Sequence, residues 1–559
     1  MSESKKRNQS FKGKRNKRSK NSSAAQGSNM DLRTTAEIRP NVVTEGGNND
    51  PSWYTHIYAV ADNIAKVPFN YPSGITFNPI DNAEPENQTV KYSASNFSMS
   101  FPGICVFNIM PTIGPTTVSS DAANVAMQQL YAIDRAANSG AKNYDAPDLM
   151  LLVMGMSSAY MLYSELVRAY RVYSSYDPMN RYQPNGILQA LGFDPALEQD
   201  RANFKAMLDL FAYRLASINI PDQFDFIKRY TWLYSNVYTD SDSTKSQFYA
   251  YVPDGYYVWT EGVEGKPTYL HYTKRKDIYG YADDKVTSID QISKAINTLL
   301  DPLLGSQDVG LISGDLAKAF GESGMIKIQP VSDLDAFAPV RSEEVLLQMM
   351  NATIFSSDVV AHYDQASNIA YSGITVDYSN TATGPILKQT VTMGVNEHNK
   401  LVPVVKHLFN MINTEPTSDN VLVGSRLMAN CQQISDIYAS VTNSGTEIVT
   451  RAFVYYNNGN AELNNLEVFQ NHVFDVQNPG SSNDALVNFY ETALLLSKFD
   501  YAPTLYLFTP ESETAILFDG VMQDVCNYTW LDDQSLKRLN DVCLMSEFYV
   551  KDYKTSLTK

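Results

Sequence analysis

Cysteine is scarce in this chain, and its few copies lie far apart. The 559 residues include four cysteines, Cys105, Cys431, Cys526 and Cys543, and no Cys-x-x-Cys pair. This pattern excludes a local zinc motif and a disulfide framework, and it favours free thiols in a reducing compartment. The six histidines are never four residues apart, so the sequence predicts no local metal site either.

The familiar nucleotide-binding and catalytic motifs are missing as well. The sequence GVEGKP at Gly262 ends in Gly-Lys, as a P-loop does, but it lacks the first glycine and the Ser/Thr. Ser313 in GLISGD does not match the nucleophile elbow. Asp240 and Asp242 alternate like the start of a calcium loop, without its glycine and glutamate. We therefore predict no enzyme, no cofactor and no metal, although a discontinuous active site would leave no local motif.

No apolar run opens the chain, so we expect no secretory signal peptide. An uncharged stretch covers residues 149–164, which is shorter than the ~20 residues that a membrane span needs. Asp145 and Pro147 precede it as typical residues of a helix start. Apolar residues then recur at helical spacing as far as Tyr173. We predict one helix of about 30 residues and roughly 45 Å, buried on every side, and no stable membrane insertion.

Charge is divided unevenly along the chain. The net charge is −17, but residues 1–20 hold nine Lys/Arg and one acid, Glu3, which leaves −25 for the remainder. Residues 1–50 are polar and basic, so we predict a disordered N-terminal arm. Its candidate nucleic-acid-binding residues are Lys5, Lys6, Arg7, Lys12, Lys14, Arg15, Lys17, Arg18 and Lys20.

Such a cationic block suits a polyphosphate, because Lys and Arg neutralise phosphates and release counterions without recognising base sequence. With all eight net charges engaged on a duplex, the slope of log affinity against log salt would be on the order of −7. Two alternatives remain open at this point: a nuclear-import signal, and a solvated tail without a specific role.

The remaining chain alternates between helical and strand-like sequence. Helical patterns dominate residues 51–330, although residues 97–110 alternate like a strand that Pro102-Gly103 interrupts, and residues 325–331 are also strand-like. Strand patterns prevail over residues 331–482, apart from a helical pattern at 425–440, and helices return in residues 483–559. We predict an α+β fold, with a mainly α-helical domain and a β-containing domain.

Several ordered sequence blocks resemble the picobirnavirus capsid proteins. They are WYTHIYAVADNIAKVPFNYP at 53–72, FPGICVFNIMPTIG at 101–114, NSGAKNYDAPDLM at 138–150, YDPMNRYQPNGILQALGFDP at 176–195, GLISGDLAKAFGESGMIKI at 310–328 and FDYAPTLYLF at 499–508. Each block alone is weak, whereas their order and spacing are specific. In residues 331–480 we recognise no such block, so we expect this outer part to diverge from the family.

The resemblance implies a coat protein of a double-stranded RNA virus, with a fold that is not a jelly roll. Its symmetric homodimers would tile a small icosahedral shell, a T=1 lattice of dimers. On this basis residues 51–330 would form a helical shell domain, residues 331–482 a protruding dimerisation domain, and residues 483–559 helices that return to the shell. The basic arm would contact viral RNA inside the virion, and assembly would take place in the host cytoplasm.

Two other functions compete with a capsid role. A nucleoprotein that coats RNA as a filament should carry basic residues along a folded groove, yet here the densest basic block is the N-terminal arm. A hydrolase with a dispersed active site is the third alternative, and no motif favours it. The 36 tyrosines favour assembly mildly, because Tyr buries a large area at low entropic cost. We expect Tyr-rich patches of the middle region to contribute to the dimer surface.

Overall fold

A long buried helix lies at the centre of the structure. The computed structural model describes residues 76–77, 99–100 and 102–550, except for 115, 141–142, 176–182, 243–245, 264–266, 282–284, 333–336, 356–358, 362, 365–368, 371–372, 380–381, 395–406, 413, 434–437, 457–462, 474–482 and 513–514. These residues belong to one unit, Tyr71–Lys559. The predicted arm, residues 1–50, lies outside the described residues, as do residues 51–75.

The described helices are α1 (Ala122–Ala137), α2 (Ala146–Tyr173), α3 (Gln183–Ala190), α4 (Arg201–Ala216), α5 (Asp225–Ser235), α6 (Arg275–Tyr279), α7 (Ile289–Gly305), α8 (Gln307–Phe320), α9 (Glu343–Met350), α10 (Ser418–Gly424), α11 (Asn483–Leu496) and α12 (Asp533–Glu547). Short 3₁₀ helices cover Pro195–Asp200 and Glu322–Gly324.

The described strands are β1 (Thr76–Phe77), β2 (Met99–Ser100), β3 (Pro102–Pro111), β4 (Tyr238–Thr239), β5 (Phe248–Pro253), β6 (Gly255–Thr260), β7 (Tyr269–Lys274), β8 (Val359–Ala361), β9 (Tyr363–Asp364), β10 (Ile369–Ala370), β11 (Gly373–Asp377), β12 (Ile386–Lys388), β13 (Val391–Gly394), β14 (His407–Asn410), β15 (Ala429–Gln433), β16 (Tyr438–Asn443), β17 (Glu447–Tyr456), β18 (Asn464–Glu467), β19 (Asn471–Val473), β20 (Leu505–Ser512), β21 (Ala515–Met522) and β22 (Tyr528–Leu531). Helices and sheets together confirm the α+β class.

Helix α2 is the predicted central helix. It spans 28 residues, and the carboxylate of Asp148 accepts a hydrogen bond from the backbone N–H of Asp145 at 3.0 Å, which closes its first turn together with Pro147. Among the described helices it alone is long and apolar enough to cross a membrane, but its most apolar stretch is entirely buried in the protein. Helices α1, α4, α5 and α7 and strand β6 all pack against it. The prediction of a core helix is confirmed.

The largest described sheet has the strand order β18-β17-β3-β5-β4, with β3 parallel to β5 and its other pairs antiparallel. Strand β3 is buried on both faces, which explains its continuous apolar sequence. The pairing of β17 with β3 inserts a strand from the predicted protruding segment among strands of the predicted shell segment. The domain boundaries at 331 and 482 stay predictions.

Smaller sheets surround this one, in the orders β12-β11-β7-β6, β15-β16-β13-β8 and β19-β20-β21, and β14 pairs with β22. One apolar core runs from Ile104 to Val550 and joins the three sequence segments. The C-terminal helix α12 contacts α1, α5 and β16. Helix α12 thus lies against elements of the first segment, whereas the assignment of residues 483–559 to the shell stays a prediction.

Two local predictions are corrected by the structure. The described residues of 425–440 are not helical, because they hold β15 and the start of β16, which pair with each other. Residues 325–331 form a single bridge at Met325 and no strand. The predicted break at Pro102 agrees with two separate strands, β2 ending at Ser100 and β3 beginning at Pro102, since proline is tolerated as the first residue of a strand.

Candidate assembly surface

Large apolar side chains are exposed next to one another near the C-terminus. We call this group the C-terminal aromatic surface and define it as Leu517, Phe518, Met522, Tyr528 and Trp530, which are between 38% (Trp530) and 57% (Tyr528) exposed. The rings of Phe518 and Trp530 meet edge to face at 5.6 Å, so β21 and β22 are joined at this pair, whereas Leu517, the residue before Phe518, lies on the opposite face of β21. Contiguous apolar surface of this kind marks an interaction site.

Strand β22 is open to solvent on both faces. It pairs with β14 on one edge, and Tyr528, Thr529 and Trp530 are all exposed. Because consecutive side chains of a strand point to opposite faces, neither face of β22 packs fully against described residues. A strand with two open faces is marginal on its own, and an assembly contact would cover it.

The neighbouring strand β21 forms the edge of its described sheet. Its pairing with β20 shifts between Leu507 and Phe508, which leaves Asp519 unpaired in a bulge before Gly520. Gly520 has φ +155°, a conformation that favours glycine. A bulge bends an edge strand and hinders pairing with a strand of another chain. The surface is therefore built for contact through side chains and not for sheet extension.

The charge of this region has a single sign. Residues 499–536 contain seven Asp/Glu and no Lys or Arg. A two-fold contact of the surface with itself would bring carboxylates of the two copies together, which is unfavourable. A different, less acidic surface of the neighbouring copy is the better counterpart.

A buried ion network holds α12 against the body of the protein. Glu447 on β17 is 0% exposed, and its carboxylate lies 2.5 Å from Nε of Arg229 on α5 and 3.3 Å from Nη2 of Arg426. Arg426 also binds Glu547 of α12 at 2.6 Å. The network thus joins the first, middle and C-terminal segments of the chain.

The two carboxylates of this network have opposite pKa shifts. Burial opposes ionisation of Glu447, but two guanidinium groups outweigh it and lower its pKa. For Glu547 burial dominates and raises the pKa. The thiol of Cys543, which lies 2.7 Å from Nη1 of Arg426, also has a pKa that burial raises, to about 12. These groups are consequently structural at neutral pH, and the thiol is unreactive.

His407 occupies β14, the strand that anchors β22. Burial lowers its pKa to about 4, and its Nδ1 has no hydrogen-bond partner among the described residues. Its ring packs edge to face on Tyr506 at 5.6 Å. A neutral imidazole is therefore built into the base of the C-terminal aromatic surface.

The motifs weighed in the sequence take structural roles where the structure describes them. The hydroxyl of Ser313, inside α8, accepts a hydrogen bond from the backbone N–H of Asn219 at 2.9 Å. Asp240 accepts one from the N–H of Gln247 at 3.1 Å, and burial raises its pKa to about 6. Within the described part of the chain, no group of three His, Cys, Asp or Glu side chains is placed to hold a metal. All four cysteines are free.

The nine predicted RNA-contacting residues, from Lys5 to Lys20, lie outside the described residues, and the structure brings none of them to a site. The C-terminal aromatic surface was missed by sequence reasoning. Its signal was the absence of basic residues over 499–536 combined with the aromatic sequence YTW at 528–530.

Comparison with known proteins identifies the family. The family model described as "Picobirnavirus, Capsid protein" matches residues 53–474, and so includes residues 331–474, where we recognised no block of the family in the sequence. A capsid protein precursor of human picobirnavirus is 24% identical over 528 residues, which cover 90% of this chain and 92% of that protein. A solved structure described as the X-ray crystallographic structure of the picobirnavirus capsid matches with a TM-score of 0.71 and 22% identity, covering 91% of this chain and 100% of the other. From the length of these matches we conclude that the chain belongs to the picobirnavirus capsid protein family.

Proposed function

We propose that this chain is the coat protein of a picobirnavirus virion and assembles as homodimers into a T=1 icosahedral shell around a double-stranded RNA genome. Residues 51–330 and 483–559 form the shell in this proposal, and residues 331–482 form a projection anchored by β17. The N-terminal arm contacts RNA phosphates from inside. Assembly takes place in the host cytoplasm. The relatives are structural proteins and not enzymes.

The observation that carries the proposal is the family match over residues 53–474, together with a fold match over 91% of the chain. The C-terminal aromatic surface supports self-association, because an exposed apolar surface of this kind is typical of a protein that buries it in an assembly. The network around Glu447 supports a rigid subunit, since it ties three distant parts of the chain together.

The division of charge supports the contact with RNA. Residues 1–20 carry a net charge of +8 and the remainder −25. An acidic body repels phosphates, so the arm is the principal attraction between protein and genome. The arm touches phosphates and does not recognise bases, hence no sequence preference is expected.

Electron microscopy of the purified full-length protein tests the assembly. Closed isometric shells are the expected result, with dimers as the smaller species in analytical ultracentrifugation. Filaments would favour the nucleoprotein alternative, and a monomer that persists at high concentration would contradict both.

Deletion of residues 1–20 tests the role of the arm. Shells should still form, but their RNA content, measured from the ratio of absorbance at 260 and 280 nm, should fall severalfold. Deletion of residues 21–40 is the matched control, because that segment has the same length and two Asp/Glu against two Arg. Normal RNA content in shells without residues 1–20 would overturn the proposed RNA contact and leave the capsid role intact.

A further inference from the structure

Arg168 on α2 is a buried cation whose hydrogen-bonding capacity is only partly used. Its side chain is 0% exposed. Nη1 donates to the backbone carbonyls of Tyr251 at 2.8 Å and Asn236 at 3.1 Å. Nε and Nη2 have no hydrogen-bond partner among the described residues. Unpartnered N–H groups of a buried charged side chain are costly.

The nearest carboxylate is already engaged by other groups. Glu165, one helical turn before Arg168, binds Arg275 through Oε1, with 2.8 Å to Nε and 2.7 Å to Nη2. Its Oε2 accepts hydrogen bonds from the hydroxyls of Tyr256 and Tyr279. Among the described residues, the buried cluster of Arg168, Arg275 and Glu165 therefore contains two guanidinium groups and one carboxylate, and carries a net charge of +1.

The buried network around Glu447 has equal numbers of positive and negative side chains, so this fold can bury a neutral set of charges. There two guanidinium groups, of Arg229 and Arg426, are matched by the two carboxylates of Glu447 and Glu547. In the Arg168 cluster the side chains that the structure describes supply no second anion. Backbone carbonyls contribute only partial charge, so they cannot replace it.

Tyr234 supplies a third buried hydrogen-bond donor near Arg168. Tyr234 on α5 is 0% exposed, and its hydroxyl also has no partner among the described residues. Arg168 lies beside the end of α5, because its Nη1 donates to the carbonyl of Asn236, two residues after Tyr234. Burial lowers the pKa of Arg168 to about 10. Helices α2 and α5, which carry the two residues, pack directly against each other.

We propose that a small monovalent anion of halide size binds between α2 and α5, held by Nε and Nη2 of Arg168 and by the hydroxyl of Tyr234. All three groups donate hydrogen bonds, which matches the needs of an anion. A water molecule would satisfy the same donors but leave the buried charge of +1 uncompensated. The anion links the central helix to α5, and it couples the stability of the subunit to halide concentration by mass action.

Thermal unfolding of the full-length protein at constant ionic strength tests this site. Chloride or bromide replaces gluconate stepwise, and the midpoint should rise with halide concentration. Tyr234→Phe retains the charge and removes one donor, so it should weaken the apparent halide affinity about five- to tenfold. Tyr160→Phe is the matched control, because Tyr160 is a buried tyrosine two turns earlier on α2. Its halide dependence should equal that of the unchanged protein.

Crystals grown in bromide provide the direct observation. An anomalous peak within hydrogen-bonding distance of Arg168 and Tyr234 is expected, and Arg168→Met should abolish both the peak and the halide effect. A water molecule at this position, a midpoint independent of halide, or the same halide dependence in Tyr234→Phe would each overturn the proposal. The bromide map and the Tyr234→Phe variant decide the question even if Arg168→Met fails to fold.

Discussion

Glu447 and Glu547 belong to one network but differ in what their charge contributes. Glu447 lies between Arg229 and Arg426, and these guanidinium groups lower its pKa. Its contribution to stability is present above the ordinary pKa of about 4.5 and is lost as the pH falls. Burial raises the pKa of Glu547, so ionisation of Glu547 costs free energy as the pH rises.

The first prediction compares Glu447→Gln with Glu547→Gln. Glu447→Gln should lower the free energy of unfolding at pH 7 by about 3–5 kcal/mol, because two buried guanidinium groups would share a single carboxylate. Glu547→Gln should cost about 1 kcal/mol, since burial already disfavours the charged form of Glu547 and the amide oxygen still accepts the hydrogen bond from Arg426 in place of Oε1, while the bond from Thr446 to Oε2 is lost. Urea titrations monitored by circular dichroism measure both. Equal costs would contradict this account.

The burial of His407 leads us to predict a second pH dependence of the free energy of unfolding. Its pKa is about 6.5 when exposed and about 4 in the fold, where burial disfavours the charged form. The neutral side chain therefore contributes stability above pH 6.5 that is lost as the pH falls toward 4, amounting to about 3 kcal/mol.

The variant His407→Phe should remove this part of the pH dependence. Between pH 7 and pH 4 it should lose about 3 kcal/mol less stability than the unchanged protein. Unfolding free energies measured across this range in urea provide the comparison. The same pH profile in both proteins would show that His407 is not buried as a neutral group.

At the scale of elements, α2 is fixed by contacts on several sides. The small residues Gly155 and Ser158 allow neighbouring elements to approach α2 closely. A Cβ on Gly155 would lie 3.3 Å from a methyl group of Leu270 on β7 and 3.7 Å from one of Leu303 on α7. Ser158 accepts a hydrogen bond from the backbone N–H of Tyr257 at 3.0 Å. Because β6 is an edge strand of its described sheet, the Ser158 hydroxyl provides an acceptor for a backbone N–H on that edge.

Two neighbouring serines provide a matched test of that contact. Ser158→Ala should cost about 1–3 kcal/mol, because the buried N–H of Tyr257 loses its acceptor. Ser157→Ala should change stability by about 0.5 kcal/mol or less, as its hydroxyl bonds only the Met154 carbonyl of its own helix. Both serines are buried, so the difference isolates the bond to β6. Equal effects on the unfolding midpoint would refute this assignment.

The wrong helix at residues 425–440 shows where local sequence stops being informative. Strand β15 pairs with β16, and β16 pairs with β13, which lies far away along the chain. Asn430 also donates to the carboxylate of Asp533 at 2.6 Å. These distant partners outweigh a weak local pattern, as strand formation depends strongly on its neighbours.

At the scale of the whole molecule, the C-terminal aromatic surface combines apolar area with acidic charge. Trp and Tyr often dominate the binding energy of interfaces. The double variant Phe518→Ser, Trp530→Ser should therefore raise the protein concentration needed for assembly at least about 30-fold, which corresponds to about 2 kcal/mol. Sedimentation velocity measures the fraction in shells.

Tyr213→Ser is the control for this variant, because Tyr213 is a large side chain on α4 that is 69% exposed. It should leave assembly unchanged. Circular dichroism should show the same subunit fold in all variants, since exposed substitutions rarely change stability by more than about 0.5 kcal/mol. Normal assembly of the double variant would exclude this surface as a contact.

The sequence by itself determined the central helix, the α+β class, the separation of charge and the resemblance to a capsid family. These features are encoded in local periodicity, residue counts and ordered sequence blocks, all of which can be recognised without knowing the fold. Only the tertiary structure decided the pairing of β17 with β3, the contacts of Arg168 and Glu447, and the exposure of Phe518 and Trp530. Burial and charge pairing arise between residues hundreds of positions apart, so no local pattern records them.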